Sequence, residues 1–337
     1  MIRVGLVGYG YWGPNLLRNF VKQSDCVVVA VADQDPGRLK AAQHVYPGVA
    51  LVASAKELIA REDVDAVVVS TPLPTHYPLA RAALERGKHV FVEKPLCGSV
   101  REAHKLVDLA ERKGRILMVD HTFIYSGAVR RIRELIDAGE LGDLRFYDSV
   151  RINFGLFSQD TNVIWDLAPH DFAIMRHLID EPPVSVAATC ASPVRWKDWN
   201  LPSLAYLTVR FANELIAHFH VNWLSPVKIR QTILGGSRKT VVFDHMDPDY
   251  QVKVYERGLE ARTDADRHVL MVQYRTGDMV APKIDAREAL EFVCAHFVQC
   301  IRDGKRPLTG GREGLEVVRL LEAAQRSFER GGKAVRT

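Results

Sequence analysis

Three short stretches of this 337-residue sequence combine residue types and spacings that could do redox chemistry. The first is Gly8-Tyr9-Gly10-Tyr11-Trp12-Gly13, a G-x-G-x-x-G turn directly behind the apolar run Ile2–Val7. In a dinucleotide site Gly8 would permit the tight turn and Gly10 would let backbone approach a pyrophosphate. Gly13 would let a helix pack closely on a strand. The helix that follows would aim free N–H groups and a partial positive charge at the phosphates. Tyr11 and Trp12 stand in the same turn and join the glycines as expected cofactor contacts. Taken alone, such a turn can equally be structural. Asp33, 20 residues beyond Gly13, adds the carboxylate that would accept adenosine ribose hydroxyls and repel a 2′-phosphate. With Gln34 rather than arginine beside it, the pattern favours NAD over NADP, although Arg38 is near.

Glu93-Lys94-Pro95 is the second stretch, and it directly follows the apolar run His89–Val92. A lysine at the carboxyl edge of a sheet could hold a substrate oxygen and stabilise negative charge building on it. A surface Lys–Glu pair is the plain alternative. The third stretch is Trp165-Asp166-Leu167-Ala168-Pro169-His170-Asp171, where Asp166 and His170 share one helix face. A histidine paired with a carboxylate has the pKa range to take a hydroxyl proton near neutrality. A packed core histidine with a capping aspartate would look the same. Proline is tolerated near a helix start, so Asp166 is expected at or before that helix's N-terminus.

These residues need a scaffold, and the first 120 positions supply one by alternating strand and helix. Strands are expected at Ile2–Val7, Cys26–Ala32, 66–69, 89–92 and 116–119, mostly aliphatic as strands buried on both faces are. Helices are expected over Gly13–Val21, Pro36–Val45 with Asp35 as N-cap, 75–86, and 99–113 with Ser99 as cap. That alternation means right-handed crossovers in a doubly wound parallel sheet of the Rossmann type. Beyond residue 123 the pattern changes to seven strand-like segments between 145 and 255, with helices near 128–138, 165–178, 286–302 and 311–330. This predicts an α+β C-terminal domain with a large, mostly antiparallel, open-faced sheet. The expected division is 1–122 for cofactor and 123–337 for substrate binding and oligomerisation.

Composition narrows the remaining classes. A net charge of +4 from 45 basic and 41 acidic residues is small and dispersed, which argues against nucleic acid as partner. Apolar runs are far shorter than the ~20 residues of a membrane span, and the first strand begins too early for a signal peptide. Five cysteines without a CxxC pair suggest reduced thiols in a cytoplasmic protein, and no Cys/His spacing suggests a metal.

Four motifs in order, Gly8-x-Gly10-x-x-Gly13, Thr71-Pro72-x-x-x-His76, Glu93-Lys94-Pro95 and Asp166-x-x-x-His170, resemble the glucose–fructose oxidoreductase/inositol dehydrogenase family along essentially the whole chain. The resemblance implies an NAD-dependent dehydrogenase of CH–OH groups with Lys94 and His170 as catalytic pair and Asp166 beside them. It places Thr71, Pro72, His76 and Glu93 along the cofactor. Ala168 stands where the family commonly has glycine or serine. Asp120-His121-Thr122-Phe123 lacks the arginine pair that many members carry there, so nicotinamide-side contacts do not transfer.

GYWGPNLLRNF, DSVRINFGLFSQDTNVIWDLAPHD and GKRPLTGGREGLEVVRLLEAAQRS further resemble a polysaccharide-biosynthesis subgroup. Its relatives oxidise nucleotide-linked sugars, often at C3 of a UDP-N-acetylhexosamine or its uronic acid. Arg151, Arg195, Lys197 and Arg230 are the cations at hand for a pyrophosphate. An inositol or free aldose is the alternative substrate, and a non-catalytic NAD-sensing regulator is the alternative of another class. Side chains of good size in both alternating sets of 205–211 and 216–221, together with the family resemblance, predict a homodimer or homotetramer joined sheet to sheet.

Overall fold

The computed structural model describes residues 1–155, 161–194, 201–256 and 278–337. Its elements, in chain order, begin with β1 (Ile2–Val7), α1 (Gly13–Val21), β2 (Cys26–Ala32), α2 (Pro36–Val45), β3 (Ala50–Val52) and α3 (Ala55–Ala60). They continue with β4 (Ala66–Val69), α4 (His76–Glu85), β5 (His89–Val92), α5 (Val100–Lys113), β6 (Leu117–Val119) and α6 (Gly127–Asp137). Next come β7 (Leu144–Phe154), α7 (Val163–Leu178), β8 (Pro183–Ala191), β9 (Leu204–Phe211), β10 (Ile216–Asn222) and β11 (Leu224–Gly236). The chain closes with β12 (Thr240–Asp244), β13 (Val252–Tyr255), β14 (Met279–Val280), α8 (Ala289–Asp303), α9 (Gly311–Glu329) and β15 (Val335–Arg336).

By contact the chain forms two compact units, Met1–Tyr125 with Arg287–Arg319, and Ser126–Ala286 with Leu320–Thr337. This division is not a single cut at 122/123, because α8 returns to the first unit. Three aromatic rings account for that return. Phe297 of α8 meets Phe20 of α1 and Phe91 of β5 edge-on, with centroids 6.1 and 5.4 Å apart.

The first unit holds a six-stranded parallel sheet in the order β3-β2-β1-β4-β5-β6, the doubly wound arrangement expected. β4 is buried at every residue, as a central parallel strand of Ala-Val-Val-Val should be. Its helices start where the sequence offers caps. Asp35 accepts from the N–H groups of Gly37 and Arg38, and Ser99 accepts from that of Glu102. Gly114, in the left-handed region, ends α5.

Among the described residues the second unit carries a nine-stranded sheet, β14-β13-β12-β11-β7-β10-β9-β8-β15. Its pairings are antiparallel except β7 with β10, which run parallel. Phe172 of α7 packs edge-on against Phe219 of β10 at 4.9 Å, so this helix covers one sheet face. The opposite face is set by register, which aligns Tyr206, Thr208 and Arg210 with His220, His218 and Ile216. Phe146 and Asp148 continue that face onto β7. It is more polar than the sequence suggested, because histidine, threonine, arginine and aspartate alternate with the aromatic rings.

Candidate active site

In the first unit the strand order reverses between β1 and β4, and ligands of doubly wound sheets bind in the crevice at such a point. A cleft of about 790 Å³ lies there. Gly8, Gly10, Tyr11, Trp12, Asp33, Thr71, Pro72, Glu93 and Lys94 all line it. Nine positions singled out on sequence grounds thus share one cleft wall.

The glycines differ in what they allow. Gly8 has φ +96°, and a Cβ there would lie 2.3 Å from the Ser70 carbonyl oxygen. A Cβ at Gly13 would lie 2.3 Å from the Gly8 carbonyl, so this glycine lets the turn close on itself. At Gly10 the nearest atom is the Arg38 guanidinium at 3.5 Å, which leaves the backbone open to a ligand. α1 begins at Gly13 with Pro14 in its first turn and no side-chain cap, leaving N–H groups for an anion. Asp33 is only 7% exposed at its side chain. Its oxygens accept from the backbone N–H of Tyr9 at 2.7 Å and of Asp35 at 2.9 Å, and Arg38 stands 3.7 Å away. A carboxylate has about four acceptor positions, so capacity for two ribose hydroxyls remains. The cradle fits NAD.

His76 takes a different place. Its ring is buried, with Nδ1 2.8 Å from the Pro95 carbonyl and Nε2 2.8 Å from the Thr71 carbonyl. Burial pulls its pKa down, while the two carbonyls oppose that shift. It joins the turn after β4 to the turn after β5 from behind the cleft, and is absent from the lining. Glu93 and Lys94 follow β5. Burial, and then the like charge and hydrogen bond of Asp120, push the Glu93 carboxyl well above the usual carboxylate range.

In the second unit α7 carries both Asp166 and His170. The expected boundary needs correction: Asn162 caps the helix by accepting from Ile164 and Trp165 N–H, so Asp166 lies inside it. Pro169 lies deeper still. It forfeits only the bond to the Trp165 carbonyl, which the strong cap and buried packing offset. Asp166 accepts the indole N–H of the fully buried Trp223 at 3.0 Å.

Arg151 is also corrected. Its Nε and Nη2 donate to Asp171 at 2.7 and 3.0 Å, with both side chains less than 5% exposed. A guanidinium held this way is a structural partner of α7 rather than a surface cation for a pyrophosphate. Arg195 and Lys197 lie outside the described residues. Arg230 on β11 belongs to a positive neighbourhood. Burial and then Arg230, Arg151 and Lys228 hold the His245 ring down at about 4.

Sequence reasoning passed over Asp120 and His121 as site residues. The available signal was position, since they follow β6 as Glu93 and Lys94 follow β5. Among the described residues no group of His, Cys, Asp and Glu could hold a metal, and none of the five cysteines forms a disulfide. Among them, too, no helix is long and apolar enough to cross a membrane.

Comparison with known proteins agrees with this architecture. Residues 2–121 match the family model described as an oxidoreductase family with NAD-binding Rossmann fold, and residues 129–242 match the GFO/IDH/MocA C-terminal domain. The uncharacterised oxidoreductase YdgJ of Escherichia coli K12 is 34% identical over 262 residues, covering 73% of this chain and 72% of that one. The dTDP-3,4-didehydro-2,6-dideoxy-alpha-D-glucose 3-reductase of Streptomyces violaceoruber is 34% identical over 145 residues, 43% of this chain and 42% of its own. Among solved structures, UDP-N-acetylglucosamine 3-dehydrogenase GnnA from Acidithiobacillus ferrooxidans superposes with a TM-score of 0.83. It is 22% identical and the match covers 98% of each chain, a likeness of fold. The chain belongs to the GFO/IDH/MocA oxidoreductase family, with an NAD-binding Rossmann domain.

Proposed function

We propose that the protein transfers hydride between a secondary alcohol of a nucleotide-linked sugar and NAD, with Lys94, His170 and Asp166 as its chemical residues. The observation that carries this reading is Lys94 lining the same cleft as Gly8, Gly10 and Asp33. When bound, NAD supplies a hydride acceptor at C4 of its nicotinamide. His170 takes the hydroxyl proton while the same carbon loses its hydride. Lys94 holds the alcohol oxygen and offsets the negative charge that develops on it. Asp166 steadies α7 through Trp223 and so orients His170. Asp33 receives the adenosine ribose.

The substrate proposal rests on two supports. The Streptomyces and Acidithiobacillus proteins, by their names, act at position 3 of a nucleotide-linked hexose. Arg230 and Lys228 also give the second unit a positive neighbourhood suited to a pyrophosphate or a uronate carboxylate. A role in polysaccharide biosynthesis is part of the same proposal and rests on the resemblance of three segments to that subgroup. The test is incubation with NAD and UDP-N-acetylhexosamines, their uronic acids, inositols and free aldoses, following NADH absorbance and adding a 2-oxo acid acceptor where cofactor stays bound. Turnover with UDP-linked sugars at least ~10-fold above the others in kcat/KM is expected. Preference for an inositol or aldose would replace the substrate proposal, and no turnover with any would favour a regulator.

We further propose that the outward sheet face bearing Phe146, Tyr206 and Ile216 meets the same face of a second copy. These three are each more than a third exposed in the single chain, and an isologous contact on a two-fold axis would cover them. Light scattering at micromolar concentration should give a dimer or tetramer. A mass near the 37.8 kDa of one chain would end this proposal.

A further inference from the structure

Behind the Lys94 end of the cleft lies a polar group that the proposed chemistry does not use. Asp120, at the end of β6, is 1% exposed, and His121 beside it is 2% exposed. Asp120 Oδ1 accepts the Thr122 hydroxyl at 2.5 Å, and Oδ2 accepts the Trp12 indole N–H at 3.4 Å. Glu93 Oε2 accepts the backbone N–H of Lys94 at 3.2 Å. Its other oxygen, Oε1, is enclosed and meets no donor. Glu93 and Asp120 nonetheless stand side by side, because they follow the paired residues Val92 and Val119 of β5 and β6, and the Asp120 N–H donates to the Val92 carbonyl at 2.8 Å.

Two ionised carboxylates are acceptors only, so neither can satisfy the other, and an enclosed oxygen without a donor carries a desolvation penalty that nothing offsets. A single proton removes both problems. Placed on Glu93, it becomes a donor to Asp120 and relieves the repulsion of two buried like charges. Asp120 is the better place for the remaining negative charge, since Thr122 and Trp12 already donate to it.

We propose that Glu93 and Asp120 hold one proton between them at neutral pH, Glu93 donating to the Asp120 carboxylate. Asp120 is then a positioning residue that acts on Lys94 through Glu93. The cleft wall beside Lys94 is the neutral Glu93 acid, and the one negative charge lies behind it, tied through Trp12 to the glycine turn. The segment that departs from the family pattern at Asp120 is thereby given a role, one that does not depend on which sugar is the substrate.

The surroundings on every side agree in direction. Both carboxyls are raised above their usual range, chiefly by burial. His121 is held at about 3 by burial and by Lys94, so it is a neutral neighbour that does not compete for the proton. Cys294 of α8 and Tyr125 are pushed up mainly by burial, with Asp120 adding to each, and remain uncharged. Lys94 is therefore the cation facing the pair among these neighbours, and His76 beyond it feels the same charge.

The pair has a spectroscopic signature, because a protonated carboxyl absorbs in the infrared apart from carboxylates. Difference spectra of the full chain across a pH titration should show a protonated buried carboxyl at neutral pH. Glu93→Gln should remove it, since Asp120 then ionises against an amide donor. Asp120→Asn should keep an acid at Glu93 but move its ionisation down by about one pH unit or more, a like charge being gone. An unsubstituted protein with no protonated carboxyl at neutral pH would overturn the proposal. So would an Asp120→Asn variant whose carboxyl titrates where the unsubstituted protein's does, because Glu93 would then be an isolated buried acid.

Discussion

Replacing Lys94 or His170 by alanine is expected to lower turnover by about 100-fold or more while NAD still binds. Each variant would remove a group assigned to the substrate, one to its oxygen and one to its proton, and neither substitution touches the glycine turn. Asp33→Ala should separate the effects the other way. Its carboxylate arranges the turn through Tyr9 N–H and is the expected ribose ligand, so NAD affinity should fall and discrimination against NADP should relax. Cofactor titration by fluorescence and steady-state rates on the substrate found in the panel would read both. Near-normal turnover in Lys94→Ala and His170→Ala would remove the assigned roles. An unchanged ratio of NAD to NADP affinity in Asp33→Ala would remove Asp33 from the ribose.

Much of the scaffold was legible because its signals are local. β1 is aliphatic apart from Arg3 and Gly5, β2 is aliphatic after Cys26, and their bounds match the expected strands to the residue. The caps at Asp35 and Ser99 are side chains whose bonds reach two or three positions along the chain. β3 and α3 escaped because three and six residues are too few for periodicity to register. The return of α8 to the first unit escaped for another reason. Its apolar stripe would suit any core, and only the rings of Phe20 and Phe91, far back in sequence, select the one it joins.

The candidate site divides in the same way. The glycine turn, Asp33 and Lys94 were found because strand ends in a parallel sheet place residues at one edge, so separate motifs converge without tertiary knowledge. His76 keeps its motif but serves the backbone of two turns, since its ring nitrogens meet carbonyls rather than the cleft. The Glu93–Asp120 contact links the ends of neighbouring strands, and no spacing rule announces which strands are neighbours. For Arg151 a signal did exist. Tyr147, Ser149 and Arg151 share one alternating set of β7, and the first two are plainly inward. An arginine on that face needs a carboxylate, and the following helix offers Asp171.

That pair carries the largest expected stability effect. Asp171→Ala would leave the Arg151 guanidinium, 4% exposed, without the carboxylate that takes two of its N–H donors, and would strip the Ser149 hydroxyl of its acceptor. Burying a cation without its partner is far costlier than never burying the pair. The expected loss is therefore about 3–5 kcal/mol of unfolding free energy. The double substitution Arg151→Met, Asp171→Leu should recover most of it, because apolar chains of similar size replace two desolvated charges. Asp171 also follows His170 directly, so a slack α7 should lower turnover in the single variant more than in the double one. Urea unfolding followed together by far-ultraviolet dichroism and fluorescence would measure these differences. A loss below about 1 kcal/mol for Asp171→Ala would mean that solvent reaches Arg151 and that the pair does not anchor α7.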